Sequence, residues 1–305
     1  MWAVTGASGF IGSALVRNLE LDGVDVRTLT RRPLPRKNHL TGDVCDEKSL
    51  RALIDGAEVI VHLAAYVHRR VRNENERAEC FAVNAGSTQK LAKLVSEIAD
   101  APRLIFISSA SVYAPNHAAI AETSPLEPDT PYGQAKLEGE RAVAAIGGTI
   151  LRPAMVFGPG APGNLQRLLR MIRTRVVVEV ERGRQRKSLV PVADLVAAIR
   201  TVARGRYAEA FNVSSSVLTM REIVDELAAA LSIRPLRLPV PRIAMRLARR
   251  LPPLTRLVDA YTSDVILDDA KLRALTGYVP VADVRAALRD VALAQRHEGP
   301  ERDRR

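Results

Sequence analysis

The feature that most constrains this 305-residue chain is a glycine run near its start, Thr5-Gly6-Ala7-Ser8-Gly9-Phe10-Ile11-Gly12. It lies between a short apolar strand and a helical pattern. Gly6 permits a tight turn, Gly9 lets backbone N–H groups close on an anion, and Gly12 lets the helix pack against the strand. The helix behind the run points unpaired N–H groups and the positive end of its dipole at the same place. With Ser8, Phe10 and Ile11, these glycines form a candidate cradle for a diphosphate. The spacing is GxxGxxG rather than GxGxxG, and the strand–turn–helix context gives it weight over a purely structural turn.

That context repeats. Apolar runs of strand length at residues 3–5, 24–30, 58–63, 104–108 and 149–152 alternate with helical periods at 11–20, 47–53, 84–99 and 133–145. Strands that are apolar throughout, separated by helices, predict a parallel sheet covered on both faces, and right-handed crossovers make it doubly wound. After Pro153 the rhythm breaks at Gly158-Pro159-Gly160-Ala161-Pro162-Gly163. Helices at 165–173, 193–203 and 220–231 and strands at 176–180 and 210–213 then predict a smaller mixed α/β unit. The expected division is a dinucleotide-binding domain over 1–157, its sheet completed by segments near 188–214. A mainly substrate-binding domain over 158–297 and a frayed tail over 298–305 follow.

Composition removes several classes. The formal charge is +11, from 38 arginines and 7 lysines that are scattered rather than striped. With aromatics at 4% there are few platforms for stacking bases, so nucleic acid is not an expected partner. No apolar run reaches the roughly 18 residues of a membrane span, and the first apolar stretch is too broken for a secretory leader. A basic amphipathic stretch at 243–257 reads as a surface helix with one buried stripe rather than a membrane helix. Cys45 and Cys80 make neither a disulfide framework nor, with the histidines, a metal site. The expected setting is the cytoplasm.

The end of the second strand bears on the cofactor. An acidic residue there would accept from the 2′-hydroxyl of an adenosine ribose. This chain carries Arg31 and Arg32 instead, two guanidiniums suited to a 2′-phosphate, so the reading is NAD(P) with a lean to NADP(H). The alternative is a pair of solvated surface arginines. Asp43 and Val44, closing the third strand, are placed to border the adenine.

Tyr132 and Lys136, four apart at the start of a helix, share one helical face. A phenol is a poor base at neutral pH, and a neighbouring ammonium is expected to lower its pKa. Ser109, in Ile107-Ser108-Ser109-Ala110-Ser111-Val112-Tyr113, closes an apolar strand whose carboxyl end faces the ligand crevice. Its hydroxyl is placed to hydrogen-bond an oxygen that gains or loses a proton.

These residues together resemble the extended short-chain dehydrogenase/reductases, specifically the NAD-dependent epimerase/dehydratase family. The landmarks are the glycine run, His62-Leu63-Ala64-Ala65, Asn84, the serine-rich strand end, Tyr132 with Lys136, Leu151-Arg152-Pro153-Ala154-Met155-Val156-Phe157-Gly158-Pro159 and Phe211-Asn212-Val213. The resemblance implies a Rossmann-type doubly wound sheet, with Ser109, Tyr132 and Lys136 as the catalytic set. It implies Leu63, Ala64, Ala65, Asn84 and Ser108 near the cofactor, and Pro153 and Val156 flanking a nicotinamide. Relatives pair the helices beginning near 84 and 133 across a two-fold axis. A homodimer is therefore expected, with Leu91, Leu94, Leu137 and Val143 as contacts.

Within the family, the stretch 62–68, Gly163-Asn164-Leu165 and Arg186-Lys187-Ser188-Leu189 resemble nucleotide-sugar 4-epimerases and 4-keto-sugar reductases. That likeness implies Ser111, Asn164, Arg186 and Lys187 as substrate contacts. Arg182, Arg184, Arg186 and Lys187 read as a basic strand edge suited to a pyrophosphate, or as a charged edge that blocks sheet pairing. Lys187 stands where relatives usually have arginine, and Pro191 where an aromatic or histidine is common. His62 and His68 read as packed or loop histidines, and Asp194 as a helix N-terminal carboxylate. The expected function is hydride transfer at C4 of a nucleotide sugar. A reductase of another small carbonyl and a non-catalytic cofactor-binding regulator are the alternatives.

Overall fold

The computed structural model describes residues 1–67, 71–114, 119–241, 243–244 and 264–297, with the side chains of 296 and 297 excepted. His68, nearly all of the 243–257 stretch and the 298–305 tail lie outside the described residues.

Seven strands form one parallel sheet: β1 (Trp2–Thr5), β2 (Val26–Thr30), β3 (His39–Thr41), β4 (Val59–His62), β5 (Arg103–Ile107), β7 (Thr149–Pro153) and β11 (Ala210–Val213). Their order is β11-β7-β5-β4-β1-β2-β3. Register holds the carboxyl ends level, since Thr5 pairs with both Leu29 and His62, and His62 with Phe106. Chain direction through the sheet reverses between β1 and β4, and a crevice opens at the strand ends there.

Side-chain alternation sends Val4, Val61, Ile105 and Leu151 into one buried cluster with Leu15, Val16, Leu195 and Ile199 of helices α1 (Phe10–Leu21) and α7 (Val192–Val202). It sends Ala3, Ile60, Leu104, Phe106 and Ile150 into another. That second cluster is closed by α2 (Glu47–Ile54), α4 (Ser87–Ser96) and α5 (Pro131–Ala145). Two-sided burial is why these strands are apolar throughout.

The helix expected at 84–99 begins ten residues earlier. It runs from α3 (Glu74–Phe81) through a single π-turn, Ala82–Gly86, into α4. The sequence Glu-Asn-Glu-Arg-Ala-Glu-Cys-Phe buries only Cys80, so no apolar stripe announced α3.

A third apolar cluster joins α6 (Asn164–Arg173), α8 (Met220–Leu231) and the helix Val284–His297 through residues such as Leu169, Leu227 and Leu288. Thr219 and Glu222 start α8 with a reciprocal capping box. The remaining strands are β6 (Ala119–Ile120), β8 (Met155–Phe157), β9 (Val176–Val180), β10 (Arg186–Pro191), β12 (Ser216–Thr219), β13 (Leu236–Val240) and β14 (Ile266–Leu267). β10 lies between β12 and β8, and β9 pairs with β13.

Two expectations are corrected here. Arg186 and Lys187 do not lie on an open edge: β12 pairs along one side of them, and the segment around Val265 covers the other. Arg182 and Arg184 belong to the turn before β10. The neighbouring segment lies almost eighty residues further along the chain, which hid it. Leu91, Leu94, Leu137 and Val143 are all buried in the chain's own core, so they cannot form a subunit contact.

Candidate active site

The glycine run folds as a cradle. Gly6 has φ +68°, and a Cβ there would stand 2.7 Å from Ala64 N. A Cβ on Gly12 would stand 2.2 Å from the Gly6 carbonyl oxygen. Gly9 N donates to Gly6 O at 2.9 Å, and no side chain caps α1, so its first turn offers backbone N–H groups to the crevice. Ser8 is exposed, while Phe10 and Ile11 are partly buried at the helix start.

Beneath the cradle, one hydrogen-bond chain fixes its neighbours. Thr5 Oγ1 accepts from Leu63 N and Ala64 N, both at 3.1 Å, which leaves its proton for His62 Nδ1 at 2.8 Å. Nε2–H of His62 then donates to Thr88 Oγ1 at 3.1 Å, and the Thr88 hydroxyl donates to Asn84 O at 2.9 Å. Only one tautomer satisfies the chain. Burial, with the Lys136 charge adding, pushes the His62 pKa down to about 3, so the ring is a neutral spacer.

Asn84 is fully buried in the π-turn. Its amide accepts from Tyr66 N at 3.0 Å and donates to Tyr66 O at 3.1 Å. It therefore clamps the loop that carries Leu63, Ala64 and Ala65, instead of offering its amide to a ligand. The π-turn is what places it there, an irregularity often found at functional sites.

Arg31 and Arg32 follow β2, are exposed, and make no side-chain hydrogen bond or ion pair among the described residues. Asp43 lies beyond the end of β3, exposed, with Oδ1 accepting from Cys45 N at 2.8 Å, and Val44 is partly buried beside it.

The start of α5 is pinned by Thr130, whose Oγ1 accepts from Gly133 N at 3.1 Å, and by Pro131 at the first helical position. A Cβ on Gly133 would meet Ser111 O at 2.3 Å, so only glycine lets the helix reach the loop after β5. This approach brings Tyr132 close enough to Ser109 for the Ser109 hydroxyl to draw the phenol pKa down. Ser109 Oγ accepts from Ser111 N at 3.1 Å and Ser111 Oγ at 2.8 Å. Ser111, expected on substrate, is thus engaged with Ser109. Among the described residues Ser108 Oγ is buried without a hydrogen-bond partner.

Lys136 is buried, and its Nζ donates to Ile107 O at 2.8 Å, 4.5 Å from the centre of the Phe106 ring. The expected lowering of the phenol pKa by Lys136 is not what the structure shows. Burial pushes Tyr132 up to about 12, opposed by the neighbouring Ser109 hydroxyl, while the ammonium donates to Ile107 O. Burial also pushes Lys136 down to about 7, with Glu140 opposing. The phenol rests protonated, as a proton donor must.

Pro153 is buried at the end of β7 and Val156 is partly buried in β8. Asn164 is exposed at the start of α6. Arg186 is exposed and lies 3.5 Å from Asp264, while Lys187 is partly buried, its pKa pushed down to about 8 by desolvation. Asp194, in the first turn of α7, is fully buried and accepts from Val281 N and Ala282 N, a structural anchor. Sequence reasoning missed a buried network: Glu140 and Arg152 form a bidentate ion pair, Arg152 reaches Tyr113 at 2.8 Å, and Tyr113 donates to Asn212 at 2.7 Å. Among the described residues no group of three or more metal-ligating side chains occurs, and no helix is long and apolar enough to cross a membrane.

Fold and site define a Rossmann-type α/β enzyme of the extended short-chain dehydrogenase/reductase class. The model of the NAD dependent epimerase/dehydratase family matches residues 2–214, and the chain belongs to that family. It is 28% identical to a UDP-glucose 4-epimerase of Vibrio cholerae over 95% of this chain and 94% of that one. It is 31% identical to a ceramide reductase of Caulobacter vibrioides over 86% of this chain and 78% of that one. The solved structure of MoeE5 with UDP-glucose and NAD superposes with a TM-score of 0.78 at 26% identity, covering 97% of this chain and 99% of that one. Membership of an enzyme family sets aside the non-catalytic regulator.

Proposed function

We propose that the chain transfers hydride at a carbinol or carbonyl carbon, C4 of a nucleotide-linked sugar, with a nicotinamide dinucleotide. The observation that carries this is the close approach of the α5 start to the loop after β5, which sets Tyr132 by the Ser109 loop one helical turn from the buried Lys136 ammonium. The residues fit such a cofactor. Gly6, Gly9 and Gly12 leave the space that side chains would fill, α1 offers unpaired N–H groups, and the Ser108 hydroxyl awaits a partner. When bound, the dinucleotide supplies the hydride donor or acceptor.

Tyr132 gives or takes the proton on the reacting oxygen, Ser109 orients that oxygen, and Lys136 holds ribose hydroxyls. Arg31 and Arg32 favour NADP(H), Asp43 and Val44 border the adenine, and Pro153 and Val156 flank the nicotinamide. Asn164, Arg186 and Lys187 contact the substrate diphosphate from the unit over 158–297. The free thiols Cys45 and Cys80 fit a cytoplasmic setting. A homodimer belongs to the proposal, its contact moved to outward residues of α4 and α5 such as Lys93 and Arg141.

The test is turnover of UDP-glucose, UDP-galactose and their N-acetylated and 4-keto counterparts with each dinucleotide, followed by chromatography. Interconversion at C4 or reduction of a 4-keto sugar is expected. Turnover only of non-sugar ketones would move the assignment to the second reading, which the likeness to a ceramide reductase favours.

A further inference from the structure

β9 and β13 make a strand pair with no third member, and their side chains divide between two unlike faces. The pairing is parallel, with Val176 opposite Leu236, Val178 opposite Leu238 and Glu179 opposite Pro239. One face turns inward. Val177 enters the third apolar cluster with Leu168 and Leu227, while Glu179 and Asp225 of α8 together hold Arg237. By the two-residue period of a strand, the other face carries Val176, Val178, Leu236 and Leu238. That face is uncovered: Leu236 is 63% exposed, Leu238 43% and Val178 38%.

Four exposed arginines bracket it. Arg175 and Arg234 precede the two strands, which are tied there by Leu236 N donating to Arg175 O at 2.7 Å. Arg182 and Arg184 lie in the turn that follows β9. None of the four side chains makes a hydrogen bond or ion pair among the described residues. Glu181, in the same turn, is half-buried with Gln185 Nε2 at 3.5 Å.

We propose that the β9–β13 face docks on an anionic lipid surface. Leucine and valine enter the boundary between headgroups and acyl chains, and the unpaired guanidiniums meet lipid phosphate. Charge and chemistry favour this occupant over the others. A second copy would set the same four arginines against themselves, and Pro239, which has no N–H, marks β13 as an edge not built for another strand. Residues 242–257 of the chain itself carry five arginines and no carboxylate, which makes them a poor match by charge. Nucleic acid needs rings to stack on, and this aliphatic face has none. The attachment is peripheral, since no helix among the described residues is long and apolar enough to cross a membrane.

Vesicle flotation tests this on the full chain, without substrate or dinucleotide. The probe is vesicles of equal parts phosphatidylcholine and phosphatidylglycerol, with phosphatidylcholine alone as control. Wild type is expected to float with the mixed vesicles at low salt, to be released as salt rises, and to ignore the control. An arginine near an anionic surface is worth about fivefold, so Arg184→Gln/Arg234→Gln should weaken partition about twentyfold. Leu236→Ser/Leu238→Ser should weaken it at least about tenfold.

A wild type that does not float with the mixed vesicles overturns the proposal. So does flotation unchanged in the folded leucine variant, because lipid is then held elsewhere. Should that variant fail to fold, the arginine variant, altered only at exposed positions, decides alone. A short oligonucleotide bound as tightly as the vesicles would make the arginines a general polyanion site and overturn the lipid reading. A lipid-free dimer that the leucine variant splits, read by light scattering, would give the face to a second copy and overturn it too.

Discussion

The hydroxyl of Thr5 lies 2.8 Å from Nδ1 of His62, the first link in a chain that ties the dinucleotide cradle to the π-turn. Because this link needs the neutral ring, His62 must resist protonation. Its pKa falls from 6.5 to about 3, so the unfolded chain takes up a proton that the folded chain refuses. The contribution is complete above 6.5 and is lost as pH falls towards 3, at about 1.4 kcal/mol per unit. Urea unfolding at pH 6.5 and 5 should therefore show a steeper loss for wild type than for His62→Gln. Parallel losses would mean that His62 is protonated in the fold.

Gly12 makes a second test of the cradle. With a Cβ 2.2 Å from Gly6 O, Gly12→Ala must displace backbone, and it should cost about 1–3 kcal/mol and abolish dinucleotide binding. Gly86, helical and with nothing nearer than Phe81 O at 3.8 Å, is the control, and Gly86→Ala should melt near wild type. Calorimetry and fluorescence titration with NADH and NADPH read both effects.

The cradle and the Tyr132–Lys136 spacing were legible because local geometry dictates them. Tight turns demand glycine, and four residues make one helical face. Glu140 and Arg152 were invisible because their ion pair joins a helix to a strand twelve residues on. Nothing in either local pattern marks the partner. The covering of Arg186 and Lys187 was hidden for the same reason at longer range, by Asp264 and Val265. The resting state of Tyr132 depended on where Lys136 points, and Ile107 O is a backbone atom that no side-chain motif advertises.

Arg31 and Arg32 decide between cofactors only if their unpaired guanidiniums meet a phosphate. A charge-assisted hydrogen bond is worth about 1.5–3 kcal/mol, so NADPH should bind at least about tenfold more tightly than NADH. Arg31→Asp should reverse the order by repelling the phosphate and accepting from a ribose hydroxyl. Equal affinities in the wild type, by fluorescence titration, would return both arginines to the solvated surface.

In the proposed chemistry the proton passes through Tyr132. Burial keeps its hydroxyl protonated with a pKa of about 12, against a smaller lowering by Ser109. In the direction of reduction it can give its proton to an oxygen as the adjoining carbon takes up hydride. General acid–base assistance is typically worth about 10²–10⁴ in rate, so Tyr132→Phe should lower kcat by about two to four decades. The fold and dinucleotide affinity should survive, because the ring remains and Lys136 keeps its bond to Ile107 O. Ser109→Ala should cost less, since it removes the group that orients the oxygen and not the proton. Lys136→Met should weaken dinucleotide binding and turnover together. Measured on the true substrate, a Tyr132→Phe enzyme with near wild-type kcat would remove Tyr132 from the reaction and leave Ser109 orienting nothing.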